Sequence, residues 1–308
     1  MPQVILTDVV HPILPETLRN KGWTVINEPM INYDQLYQII DQFQGLVMST
    51  RLHFDKNLIE KAKNLMWIGR LGSGLDNIDQ DTVMKAGIKL ISTPEGNAVA
   101  VAEHCLALIL NLLRPILKCQ NQIQQFIWDR KNNRGTELSG KTIGIIGFGN
   151  TGKALASLLY NFNVQILAHD KYLKGFSADR VCEASLKDIQ DQADIISVHL
   201  PLTSETLHYC DNQFFSNLKK VPYFISCCRG KVTNLADLNK ALQDNIVQGA
   251  AVDVIENENL TTLSDRQKNE LIEYLNYPNT LITPHIAGLT SESFYKNSKI
   301  LLEKLNFL

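Results

Sequence analysis

Gly147-Phe148-Gly149-Asn150-Thr151-Gly152 spells G-x-G-x-x-G. An apolar run, 142–147, precedes it, and a helical pattern over 152–161 starts at its last glycine. That context is the one in which the pattern cradles a pyrophosphate. The first glycine permits the tight turn, the second lets phosphate approach the backbone, and the third lets helix and strand pack closely. The helix N-terminus, with Asn150 and Thr151 in the turn, then offers unpaired N–H groups and the positive end of its dipole. The next apolar run ends at Asp170, 18 residues beyond Gly152, near the spacing of a ribose-binding carboxylate. Such an acid repels a 2′-phosphate and favours NAD over NADP, a preference that the neighbouring Lys171 weakens slightly. Three more segments place polar groups after apolar runs: Ser226-Cys227-Cys228-Arg229-Gly230, then Asp253 through Glu256 to Glu258, then Thr283-Pro284-His285-Ile286-Ala287-Gly288. Taken singly, these are a surface turn, a solvated acidic stretch and a structural histidine. Doubly wound sheets, however, bind ligands at such strand ends.

The elements around these segments alternate. Strand candidates fall at 4–6, 24–26, 45–48, 66–68 and 89–91, with helices at 14–21, 34–42, 55–63 and 80–86 between them. A long helical pattern runs from 98 to about 126, and Pro115 should kink or break it. The rhythm restarts with strands at 142–147, 164–169, 193–200, 223–228, 249–254 and 280–283, and helices at 152–161, 235–242 and 291–305. Strands alternating with helices predict parallel sheets covered on both faces. At 308 residues the chain is long enough for roughly two domains. Thirty basic residues against 32 acidic ones give a net charge of −2, with no electrostatic case for nucleic acid or an anionic membrane. The N-terminal apolar run is too short for a signal peptide, and the 98–113 run is broken by Glu103, His104 and Asn111. Six cysteines without C-x-x-C spacing read as reduced thiols of a cytoplasmic protein, with no metal site.

In this order the motifs resemble the D-isomer-specific 2-hydroxyacid dehydrogenases, most of all their D-3-phosphoglycerate dehydrogenase branch. The similarity covers nearly the whole chain. Gly69-Arg70-Leu71-Gly72-Ser73-Gly74-Leu75-Asp76-Asn77 looks like that branch's substrate loop, and Thr93-Pro94-Glu95-Gly96-Asn97 with Ala102-Glu103-His104 like the start of its interdomain helix. Trp128-Asp129-Arg130, Gly135-Thr136-Glu137-Leu138 and Val198-His199-Leu200-Pro201 match further family segments. The resemblance implies a flavodoxin-like substrate-binding lobe, 1–96 plus 287–308, and a Rossmann NAD-binding lobe, 97–286, with the active site in the cleft. It implies Arg229, Glu258 and His285 as the catalytic set. Arg229 would bind the substrate's carboxylate and carbonyl oxygen, a task suited to its planar fork. His285 would be the acid/base, with Glu258 as its partner. Glu256 is the rival, and the family pattern, which places the Glu five residues after the Asp, selects Glu258. Pro201, Cys227, Asp253 and Gly288 would line the cofactor with the glycine loop. Arg70, Ser73, Gly74 and Asn97 would hold the substrate.

Departures from the family bear on the substrate. Ser226 stands where Asn is usual, Asn259 replaces a Pro, the 257–277 segment is enlarged, and Met48-Ser49-Thr50-Arg51 departs from the branch's usual start. A phosphorylated substrate needs cations beyond Arg229, for which Arg70, Arg51 and Arg130 are candidates. Arg130 could serve a partner's cleft if the interdomain helices form a homodimer. The expected reaction is NAD-dependent oxidation of 3-phospho-D-glycerate to 3-phosphooxypyruvate, in L-serine biosynthesis. The alternative is reduction of glyoxylate, hydroxypyruvate or another small 2-oxo acid. A reading of another class is a non-catalytic NAD-responsive binding protein. Only 20 residues follow Gly288, so a catalytic core without the C-terminal regulatory domain is expected.

Overall fold

Short apolar runs fold as parallel strands because the helices between them can cover both faces of a sheet. The computed structural model describes residues 1–308 and divides them into two units, Met1–Ala98 with Gly288–Leu308, and Val99–Ala287. The first unit runs β1 (Gln3–Leu6), α1 (Ile13–Asn20), β2 (Thr24–Asn27), α2 (Tyr33–Ile39), β3 (Gly45–Met48), α3 (Lys56–Lys61), β4 (Trp67–Arg70), α4 (Gln80–Lys85) and β5 (Lys89–Ser92). Asn32, Asp55 and Asp79 each accept the backbone N–H three residues on, which starts α2, α3 and α4 where the chain leaves the sheet. All strands pair in parallel, in the order β2-β1-β3-β4-β5, the flavodoxin-like arrangement.

The chain continues through α5 (Ala98–Leu113) and α6 (Ile116–Gln124). After them come β6 (Thr142–Ile146), α7 (Asn150–Leu159), β7 (Gln165–His169), β8 (Val181–Glu183), α8 (Leu186–Gln192) and β9 (Ile195–Val198). Then follow α9 (Asn212–Ser216), β10 (Tyr223–Ser226), α10 (Leu235–Gln243), β11 (Gly249–Val252), α11 (Asp265–Asn276), β12 (Thr280–Ile282) and α12 (Ser291–Lys304). The second sheet is also all parallel, ordered β12-β11-β10-β9-β6-β7-β8, a Rossmann sheet with one strand added beyond the sixth.

Alternation along each strand divides each sheet between two cores. In the first unit Val4, Leu6, Val47 and Trp67 pack with Leu14 and Leu18 of α1 and Leu301 and Leu302 of α12. Ile5, Leu46, Met48 and Ile68 face Leu36, Leu58 and Val83 on the other side. In the second unit Ile143, Ile145, Ile166 and Ile225 pack on α5 and α7, whereas Ile146, Ile196, Val198 and Phe224 pack on α8, α9 and α10. The unusually apolar α5 is a core helix, with Ala102, Cys105 and Ile109 fully enclosed. No single helix is long and apolar enough to cross a membrane.

Pro115 breaks the long helical pattern, and α5 and α6 meet at 61°. Proline cannot donate to the preceding turn and its ring crowds the carbonyl four residues back. Two expectations need correction. The helix after the glycine motif begins at Asn150, not Gly152, because Gly149 is the extended residue that caps it. The sequence reading also missed β8, α8 and α9. The first is a three-residue edge strand without a buried position, and the helices are short segments started by side-chain caps, Ser185 and Asp211, more than by an apolar stripe.

One buried group makes the second unit acid-sensitive. His199, just past β9, is enclosed, with Nε2 2.8 Å from Ser197 Oγ, and burial pushes its pKa down to about 4. The unfolded chain therefore binds a proton between pH 6.5 and 4 that the folded chain refuses, and stability falls as pH falls through this window. Urea denaturation across it should show His199→Gln removing about 3 kcal/mol of the stability loss that the wild type shows between pH 6.5 and 4.

Candidate active site

Parallel strands deliver every expected site segment of the second unit to one edge of one sheet. Reading along that edge, His285 follows β12, Asp253 follows β11 and Arg229 follows β10; Pro201 follows β9, the glycine loop β6 and Asp170 β7. The strand order reverses between β9 and β6, where a crevice opens at the carboxyl ends of such sheets.

On the β6 side the glycines divide their tasks as the sequence suggests. Gly147 has φ of 92°, and a Cβ there would meet the His199 carbonyl oxygen at 2.5 Å. Gly152 presses its Cα against the Gly147 carbonyl, with no room for a side chain. Gly149, by contrast, has nothing within 4 Å of an added Cβ, and no side chain caps the helix N-terminus it opens. This open, uncapped turn at Asn150 and Thr151 fits a dinucleotide's pyrophosphate. Asp170 closes the turn from below: Oδ2 accepts Phe148 N at 2.8 Å, and Oδ1 accepts Tyr172 N and Leu173 N, each at 2.9 Å. Burial alone would raise its pKa, but these donors hold it below the usual carboxylate value. A lone pair on Oδ2 stays available for a ribose hydroxyl. Lys171 is tethered by Glu205, Nζ to Oε2 at 2.5 Å. Pro201 begins a loop closed by Thr206, whose Oγ1 donates to the Pro201 carbonyl at 2.6 Å.

On the β10 side Cys227 is buried, its thiol held protonated by the neighbouring Cys105 thiol and by burial. Arg229 follows with extended backbone, Nη1 donating to the Cys228 carbonyl at 2.7 Å. At Gly230 a side chain would overlap the Ile255 carbonyl. His285 Nδ1 lies 2.8 Å from Glu258 Oε2, and both side chains reach solvent. A carboxylate accepts only, so Nδ1 carries a proton, and Nε2 is the nitrogen left to exchange a proton with a ligand. Glu256 turns away to His208, Oε1 to Nε2 at 3.4 Å.

His285 has φ of 55°, a left-handed conformation that costs a non-glycine residue of its shape. Asp253 enforces it. Only 1% exposed, its carboxylate accepts Ile286 N at 2.9 Å, Ala287 N at 2.8 Å and Thr283 Oγ1 at 2.5 Å. Its own carbonyl accepts His285 N at 2.7 Å. Sequence reasoning gave Asp253 a place beside the cofactor and missed this clamp, because the partners lie some 30 residues downstream on a neighbouring strand.

In the first unit, Ser73 is exposed and Gly74 buried on the loop after β4. Arg70 is 4% exposed, its Nη1 donating to the Leu71 carbonyl at 2.5 Å beneath Gly72. Asn97 is half-buried, with Nδ2 against Gly288. Arg51 is committed to the fold: it donates to the Ile31 and Thr7 carbonyls, both at 2.6 Å, and pairs with Asp8. Arg130 is exposed, beyond α6.

Residues 106–287 match the family profile of the D-isomer-specific 2-hydroxyacid dehydrogenase, NAD-binding domain. The chain belongs to that family. Its second unit therefore carries the family's NAD-binding domain, as the glycine loop and Asp170 fit. The D-3-phosphoglycerate dehydrogenase of Archaeoglobus fulgidus is 31% identical over 303 residues, 96% of this chain and 56% of the relative. That of Bacillus subtilis is 33% identical over 253 residues, 82% of this chain and 46% of the relative. The chain thus spans about half the length of the curated relatives it matches. Among solved structures, a glyoxylate reductase from Paecilomyes thermophila superposes with a TM-score of 0.87 at 25% identity, covering 99% of this chain and 94% of that one. An Aquifex aeolicus D-lactate dehydrogenase complexed with NAD and lactic acid gives 0.85 at 24% identity, over 98% and 94%. The family and the two-sheet fold expected from the sequence are both borne out.

Proposed function

We propose that this chain is an NAD-dependent D-2-hydroxyacid dehydrogenase that oxidises 3-phospho-D-glycerate to 3-phosphooxypyruvate, a step of L-serine biosynthesis. The observation that carries the dehydrogenase reading is His285, oriented by Glu258 at 2.8 Å, two strands from Arg229 on the sheet edge that holds the glycine loop. NAD, when bound, supplies the hydride acceptor. Arg229 binds the substrate carboxylate and holds the C2 oxygen in line. His285 Nε2 takes the hydroxyl proton during oxidation and returns it during reduction, while Glu258 balances the charge that forms on the ring. Cys227, whose buried thiol stays protonated, would lie as a neutral wall along the cofactor.

The phosphoglycerate substrate is supported by the curated relatives' names. A second reading, reduction of glyoxylate or hydroxypyruvate, is favoured by Arg51, whose guanidinium is taken up by two backbone carbonyls and Asp8. An NAD(H)-linked absorbance assay across 3-phosphoglycerate, phosphooxypyruvate, hydroxypyruvate and glyoxylate separates the two. Turnover confined to the unphosphorylated acids would replace the first reading by the second. NADH binding without turnover of any of them would point to a binding protein instead. Six free cysteines agree with a cytoplasmic setting. The exposed apolar row Ile116, Leu117, Ile123, Phe126 and Trp128 supports a homodimer through this segment, which sedimentation as a monomer would exclude.

Cofactor choice rests on Asp170. Asp170→Asn should tighten NADPH binding about tenfold, close to 1.4 kcal/mol, while weakening NADH. Fluorescence titration reads both constants, and unchanged selectivity would shift the discrimination elsewhere.

A further inference from the structure

We propose that His104 is a positioning residue that clamps the His285 turn from helix α5, a role that rests on the reading of His285 as the acid/base. His104 sits in a mostly apolar core helix, where a partly buried imidazole is costly unless it is hydrogen-bonded. Its Nε2 lies 2.9 Å from Thr283 Oγ1 and 3.7 Å from Asp253 Oδ1. Thr283 has a single hydroxyl hydrogen, and that hydrogen goes to Asp253 Oδ1. Thr283 Oγ1 must then accept from His104, which fixes the Nε2–H form of the ring at this bond. The result is a one-way chain of donors from His104 through Thr283 to a carboxylate that is 1% exposed. That carboxylate also collects the N–H groups of Ile286 and Ala287, on either side of which the backbone must be held for His285 to keep φ at 55°.

Asp253 is thus the centre of the clamp, and His104 is the only imidazole beside it. Thr283 sits two residues before His285 and Ile286 one residue after it, so the network grips both ends of the strained residue. Without the His104 donor, Thr283 Oγ1 keeps an unmet lone pair against a mostly apolar helix, and its bond to Asp253 is held from one side only. The turn then relaxes toward ordinary backbone angles, and the imidazole leaves the direction set by Glu258. His104 touches no reacting atom on this account. It acts through Thr283 and Asp253.

The test compares His104→Leu with His104→Gln, whose amide nitrogen can replace the Nε2–H donor, in the full chain. Amide hydrogen exchange at Ile286 and Ala287 should rise about tenfold or more in His104→Leu. Its kcat should fall about 10- to 100-fold with the NADH dissociation constant unchanged within about twofold. His104→Gln should restore both. Unchanged exchange at these two amides in folded His104→Leu overturns the proposal, and so does equal loss in the Leu and Gln variants. If the wild type turns over no 2-hydroxy or 2-oxo acid, the reading of His285 fails, while the exchange data still decide whether His104 clamps the turn. Should His104→Leu fail to fold, His104→Met removes the same donor with a more adaptable side chain and is read in its place by the same two measurements.

Discussion

His285→Asn should lose about three to four orders of magnitude in turnover while binding NADH almost as the wild type does, judged by kcat and by fluorescence titration. The size follows from the role. Proton transfer by a placed side chain contributes about 10²–10⁴-fold, and an asparagine amide cannot shuttle a proton at neutral pH. Asparagine is the informative replacement because it tolerates the left-handed region better than most residues, so the turn at φ 55° survives. His285→Ala removes the same group and should agree. Cofactor binding stays because the glycine loop and Asp170 follow β6 and β7, on the other side of the point where strand order reverses. An equal loss of NADH affinity would mean that His285 holds the cofactor. Glu258→Gln should cost less, about 10- to 100-fold, because the amide can still orient Nδ1–H but brings no negative charge. Glu256→Gln should change little, since Glu256 faces His208 instead.

Much of this arrangement can be read in the sequence, for a physical reason. Parallel strands buried on both faces leave continuous apolar runs, and the polar residues that end them must lie at one edge of the sheet. Gly147, Arg229 and His285 all stand at such ends, but Arg229 and His285 gain their expected roles only from the order of the motifs and the family resemblance. Other features depend on partners far away in the chain. Only the family spacing from Asp253 favours Glu258 over Glu256 as the partner of His285, and the fold turns Glu256 onto His208, 48 residues earlier. Asp253 reads as one more strand-end carboxylate, yet its carboxylate takes the hydrogen bonds of the 283–287 turn. His104 reads as a blemish in an apolar helix until Thr283 is placed beside it. Arg51 reads as a spare cation until the Ile31 and Thr7 carbonyls claim it. Short capped elements such as α8 and β8 escape because they bury too little to leave a periodic trace.

Gly230→Ala should be severely damaging, although glycine contributes no functional group. An added Cβ at Gly230 would run into the carbonyl oxygen and carbon of Ile255 and lie 2.8 Å from Glu256 N. All three obstacles are backbone atoms, so no rotamer change relieves the overlap. The two loops that would be forced apart carry Arg229 on one side and Glu258 on the other, three residues beyond Ile255. Relaxation therefore moves Arg229, the proposed substrate-binding arginine, and the partner of His285 in opposite directions. A displacement near 1 Å in such a constellation is worth about 10²-fold in rate, and overpacking of this kind costs about 3 kcal/mol in stability. We expect kcat/KM to fall at least about 100-fold and the urea midpoint to drop, with the glycine loop and its NADH affinity spared. Arg229→Lys provides the contrast: it keeps charge and backbone but loses the bidentate fork, so KM for the acid should rise while the urea midpoint holds. If Gly230→Ala instead matched the wild type in both rate and midpoint, the close approach of the Arg229 and Glu258 loops would not be the feature that sets the site's geometry.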